Sequence, residues 1–199
     1  MKTSVYNTEM GAGSLLVTES RKVAELILKG ATESDWQRFI NVDNELQKRS
    51  PSSTKRQTRL LRNRLEHVPR ELLQIVVSGS NEATVQALLA AAIKHSHLLG
   101  DFMDKVVREH LRNFEPCLSI TDWRKFLVDC EQRAPEVGLW AETTKKKLGQ
   151  VVIRCLAEAK YLDNTRSMRI TPVSVIPEVR RCLEQHGETY TLDCMTLNA

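Results

Sequence analysis

The sequence has little of what marks a membrane, secreted or metal-built protein. Its longest apolar run, Val85 to Ile93, is interrupted by Gln86, whereas a spanning helix needs roughly 20 apolar residues. Met1 to Glu9 carries no basic stretch followed by an apolar one, so no signal peptide is expected and the cytoplasm is the expected compartment. The five cysteines (Cys117, Cys130, Cys155, Cys182 and Cys194) are odd in number and none are paired as C-x-x-C. That spacing argues against a disulfide framework and a zinc site, and favours free thiols in a reducing compartment. Aromatic residues make up only 5% of the chain. No Walker A, G-x-S-x-G or G-x-G-x-x-G sequence occurs. No two of the histidines (His67, His95, His97, His110, His186) are four apart, the helical spacing of zinc-binding pairs. Neither catalytic site, metal, cofactor nor small-molecule substrate is expected: the chain reads as a non-enzyme.

Helix formers are abundant. Leu, Ala, Glu, Lys and Arg dominate the 199 residues, and 41% hydrophobic content suffices for a core. The expected fold is mainly α, as two small helical domains, 1–115 and 116–199, with helix-turn-helix and winged-helix-like elements. The first ten residues read as a flexible arm, and Gly13 to Val17 as a lead into the core. Thr18 is expected to cap a helix stopped by Lys29-Gly30, and Thr32 or Ser34 a second one carrying Trp36, Phe39, Ile40 and Leu46. After the Ser50-Pro51-Ser52-Ser53 break, a third helix is predicted over Thr54 to His67. Pro69 starts a fourth. Glu82 to Leu99 reads as one helix, apolar nearly all round and therefore central, and Asp101 as the cap of the next. Beyond the boundary near Phe114-Glu115-Pro116, Thr121 or Asp122 caps a helix with Trp123 and Phe126. A long helix follows from Glu142 to Ala159, then a β-hairpin wing near 160–171, then a last helix from Pro177 to Gly187.

The net charge is only +4, so distribution matters more than total. Lys48, Arg49, Lys55, Arg56, Arg59, Arg62, Arg64 and Arg70 crowd one stretch in which Glu66 is the sole acid. At about 100° per residue, Leu61, Leu65 and Val68 share one face, while Lys55, Arg56, Arg59 and Arg62 share the other. A helix apolar on one side and cationic on the other suits phosphate contacts. With the preceding helix (Asp35 to Lys48) and the serine-rich break, it resembles a helix-turn-helix. The competing reading is a solvated face paired with acids such as Glu33 or Asp35. A second candidate surface comprises Lys146, Lys147 and Arg154 on the long helix and Arg169 in the wing, although Ile153 lies on the same outer face.

The resemblance to a known family rests on Gly11-Ala12-Gly13-Ser14-Leu15-Leu16 and Glu19-Ser20-Arg21-Lys22-Val23-Ala24. It continues in Asn44-Glu45-Leu46-Gln47-Lys48-Arg49-Ser50 and Arg62-Asn63-Arg64-Leu65, and ends in Trp140 to Leu148 and Leu156-Ala157-Glu158-Ala159. These segments resemble BrxA, the family of small accessory proteins in the BREX phage-exclusion systems of bacteria. The resemblance implies a cytoplasmic, two-part helical protein that binds double-stranded DNA and acts in phage defence beside other BREX proteins. It transfers no base-reading residues, so the eight candidate site residues come from charge geometry. The expected mode is phosphate contact with weak sequence preference. An adaptor docking its basic face onto another BREX component, a sequence-specific transcriptional regulator and an RNA-binding protein are the alternatives.

Overall fold

The computed structural model describes residues 6–42, 45–47 and 50–197. It is built of helices, and among the described residues none is long and apolar enough to cross a membrane. A 3-10 turn, Glu9–Ala12, leads to α1 (Val17–Leu28), α2 (Glu33–Asn41), α3 (Pro51–Leu65), α4 (Arg70–Ser78) and α5 (Asn81–His95). Then come α6 (His97–Phe102), a π-helical turn (Met103–Val107), α7 (Arg108–Arg112), α8 (Ile120–Arg133), a 3-10 turn (Pro135–Val137), α9 (Glu142–Glu158), α10 (Pro177–Gln185) and α11 (Thr189–Met195).

Local chemistry accounts for most helix ends. Thr32 and Ser119 each form a capping box, with Asp35 and Asp122, in which side chain and backbone satisfy each other's orphan groups. Ser119 takes the place predicted for Thr121 or Asp122 because Asp122, three residues on, can reach back to its N–H. Leu16, not Thr18, precedes α1. Gly30 and Gly187 adopt left-handed φ of 69° and 68° just past α1 and α10, a conformation that costs glycine nothing. The third helix starts at Pro51, capped by Ser50, because proline is suited to a helix's first position.

Several expectations change. The second helix stops at Asn41, where Asn-Val-Asp-Asn, all poor helix formers, follows; its predicted end at Lys48 lies outside the described residues, as do Arg49 and the first five residues of the arm. Tyr6 and Met10 are buried, so the arm is anchored from residue 6 onward. The helix predicted from Glu82 to Leu99 is divided at Ser96, which is extended and buried, its hydroxyl 3.4 Å from Met10 Sδ. Asp101 is interior to α6, not a cap. The hairpin is reduced to isolated bridges: Leu162 pairs with Ile170, and Cys117 with Arg169. α11 was not legible as a helix.

α5 is central, as its all-round apolar character predicts, with Ala83 through Ile93 buried apart from Val85. Buried side chains from before and after residue 115 meet in one hydrophobic core. Gln86 on α5 donates to Ser174 O and accepts from Ile176 N. Tyr161 donates to Met195 O, and Arg108 to Thr196 O and Asp193 O. α8 lies against α9 through Trp123, whose Nε1 donates to Lys145 O at 3.0 Å. Gly149 lies beneath that indole: a Cβ there would approach Trp123 Nε1 to 2.7 Å. Gly149→Ala is therefore expected to destabilise the protein by about 1–3 kcal/mol in chemical denaturation through overpacking, despite alanine's higher helix propensity. An unchanged midpoint would show that α8 and α9 separate freely at this contact.

Candidate nucleic-acid interface

Three of the eight candidate cations, two from the first predicted surface and one from the second, line one cleft. Arg56 and Arg59 on α3 and Lys147 on α9 line it together with Thr143 and Thr144 of α9's first turn. The 3-10 turn contributes Glu9, Gly11 and Ala12. The cleft encloses about 380 Å³.

The segment between the 3-10 turn and α1 is clasped from both sides by the two helices that flank the cleft. From α3, Arg64 donates to Ser14 O at 2.5 Å and Gly13 O at 3.1 Å. From α9, Glu158 accepts from Ser14 Oγ at 2.7 Å and from the Leu15 N–H at 2.9 Å. Arg64 is only 3% exposed, and burial pulls its guanidinium below the usual arginine range. It is thus no part of the exposed cationic face formed by Lys55, Arg56 and Arg59.

The other candidates divide. Lys55, Arg56, Lys146, Lys147 and Arg154 are exposed. No side-chain hydrogen bond or ion pair engages Lys55, Arg56, Lys146 or Lys147 among the described residues. Of these four, only Arg56 and Lys147 line the cleft. Arg62 is occupied: its guanidinium lies 4.3 Å from the Trp36 ring, 2.9 Å from Glu66 and 3.5 Å from Glu33. The pairing with Glu33 weighed as a competing reading is thus real for this one residue, which ties α2 to α3. Arg169 lies at the Cys117 bridge, exposed but away from the cleft lining. Ile153 is half-buried and packs on the core, which explains an apolar residue on α9's outer face.

Sequence reasoning missed Glu9, Thr143 and Thr144. Glu9 Oε2 accepts from Asn63 Nδ2 at 3.0 Å and from His95 Nε2 at 3.1 Å, and Oε1 lies 3.8 Å from Arg59 Nη2. The Asn63 hydrogen bond, above all, holds the Glu9 carboxyl below the usual range. Burial lowers the His95 pKa, so the ring is neutral near pH 7 and donates through Nε2–H. No signal in the sequence joins Glu9 to residues 54 and 86 positions away. Thr143 and Thr144 were legible only as first-turn residues of a helix whose cap, Ala141, offers no side-chain hydrogen bond. The cysteines other than Cys117 are buried, and burial pushes the Cys155 thiol up to about 12, which suppresses thiolate chemistry.

Fold and cleft define a small all-helical protein whose free cations converge from two helices. The BrxA family model matches residues 4–187. The BREX protein BrxA of Paramagnetospirillum magneticum is 42% identical over 193 residues, 97% of each chain. That of Escherichia coli O9:H4 is 31% identical over 176 residues, 88% of this chain and 83% of the other. The crystal structure of an uncharacterized protein from Magnetospirillum magneticum aligns with a TM-score of 0.91 at 41% identity, covering 97% of this chain and 99% of that one. The chain belongs to the BrxA family of BREX proteins.

Proposed function

We propose that this protein is a non-enzymatic, double-stranded-DNA-binding component of a BREX phage-defence system, acting mainly through phosphate contacts at the α3–α9 cleft. The observation that carries the reading is the convergence of Arg56, Arg59 and Lys147 from two helices on one cleft, with Arg56 and Lys147 unpaired. Cations left unpaired by the fold keep their full charge for an external anion. The start of α9 adds to this: its first N–H groups lack a side-chain cap, they carry the positive end of the helix dipole, and two threonines of that turn line the cleft.

The order of elements supports a winged-helix-like reading of the second half. A bridge residue (Cys117), α8, α9 and the segment carrying Leu162, Arg169 and Ile170 follow one another, with Arg166 and Arg169 exposed near the turn. A helix-turn-helix built from α2 and α3 is supported less, because residues 42–50 separate them where that motif uses a turn of about 3–4 residues.

Fluorescence anisotropy with labelled duplex DNA, single-stranded DNA and duplex RNA at several salt concentrations tests the proposal. Duplex DNA is expected to bind best, and three phosphates neutralised by the cleft predict a slope of log affinity against log salt of about −2.7. Absence of binding even at low salt overturns it. The adaptor reading is favoured by one observation: Phe114 and Leu139 are 90% and 88% exposed. A stoichiometric complex with another BREX component that survives nuclease treatment supports that second role.

A further inference from the structure

We infer that Glu9 is a built-in competitor for the phosphate that Arg59 would bind, holding the affinity of the cleft below what its cations alone would give; this rests on the DNA-binding reading above. Glu9 opens the 3-10 turn that contributes to the cleft lining. Its Oε2 is fixed by two donors, Asn63 on α3 and His95 on α5, so the protein, not solvent, sets the carboxylate's direction. Oε1 is left to face Arg59 at 3.8 Å.

A purely structural role accounts for the two bonds to Oε2. It gives no reason for the second oxygen to lie against a cation of a cleft whose other cations, Arg56 and Lys147, are unpaired. A carboxylate offers a guanidinium the same kind of anionic oxygens that a phosphate does. At 3.8 Å it is a loose ion pair rather than a hydrogen bond, with Arg59 still 71% and Glu9 36% exposed. An incoming phosphate can therefore reach Arg59, but it meets a fixed like charge beside it. The result is a site that discriminates against a single weakly held anion and favours a polyanion engaging Arg56 and Lys147 as well.

Glu9→Gln retains an oxygen acceptor for Asn63 and His95 and removes the charge. It is expected to bind a 20-base-pair duplex about threefold to fivefold more tightly than wild type, the size of one exposed charge pair. In an Arg59→Gln background the same change is expected to give a smaller gain, because the carboxylate then has no guanidinium to occupy. Glu66→Gln removes an equal charge from the end of α3, where it pairs with Arg62 outside the cleft, and measures the general effect of charge. The inference is overturned if Glu9→Gln binds no tighter than wild type, if its gain only equals that of Glu66→Gln, or if the gain is undiminished without Arg59. Should Glu9→Gln melt below the assay temperature, Glu9→Asp, which keeps the charge but withdraws the carboxylate by one methylene, replaces it: a gain over wild type that shrinks in the Arg59→Gln background is expected, and no gain, or a gain undiminished without Arg59, overturns the inference. If neither wild type nor variant binds duplex DNA, the DNA-binding reading itself falls. If wild type binds and the variants show no gain, only the role of Glu9 falls.

Discussion

Reversing the charge of Arg56 and Lys147 together is expected to weaken duplex binding by about two orders of magnitude near 100 mM salt and to flatten the salt slope by about two. The pair is chosen because one residue comes from α3 and the other from α9, and both line the cleft. Each reversed residue loses a phosphate contact and places a carboxylate against a polyanion. Neither side chain makes a hydrogen bond or ion pair among the described residues, so stability should change by less than about 0.5 kcal/mol. Arg59 is less suitable for this reversal, since a carboxylate there would confront Glu9. The comparison is Lys146→Glu with Arg154→Glu, on α9 but outside the cleft lining. If that double variant loses as much affinity as the cleft variant, the contact surface is the whole cationic face of the molecule and not the cleft.

Arg64→Ala is expected to cost about 3–5 kcal/mol of folding stability, the range for removing one partner of a buried charged network. The variant leaves the Gly13 and Ser14 carbonyls without their donors. It also leaves Glu158, on the far side of the same segment, without the positive charge that offsets its own. For a chain of this size the melting temperature should fall by roughly 10 °C. Arg64→Lys should recover only part of the loss, because an ammonium cannot present the guanidinium's planar fork to two carbonyls. The neighbouring Arg56→Gln, fully on the surface, should leave the melting temperature almost unmoved. Equal melting temperatures for Arg64→Ala and Arg56→Gln would mean that the clasp does not contribute to the fold.

These two variants lie eight positions apart on the same helix and are expected to behave oppositely. Their contrast marks where sequence reasoning reached its limit. The amphipathic pattern of α3 identifies a cationic face, and Leu61 and Leu65 are indeed buried. The pattern turns Arg64, beside them, toward the apolar side, but cannot tell that two carbonyls from a segment 50 positions earlier hold it there. Nor can it tell that Arg62 is claimed by Trp36 and Glu33 from the preceding helix. Charge spacing reports which way a side chain can point, not what it meets there.

The sequence by itself determined the helical class, the central place of α5, the stops at Gly30 and Gly187, and the extent of α9 to within a residue. Each follows from interactions among residues a few positions apart: periodic burial, capping and the freedom of glycine at positive φ. Tertiary structure alone decided that α3 and α9 share a cleft, that Glu9 faces Arg59 within it, and that Ser96 divides what the sequence presents as one helix. Those outcomes depend on contacts between residues tens of positions apart. Such contacts form when distant elements bury their apolar faces together, and local propensity carries no record of which partner each face finds.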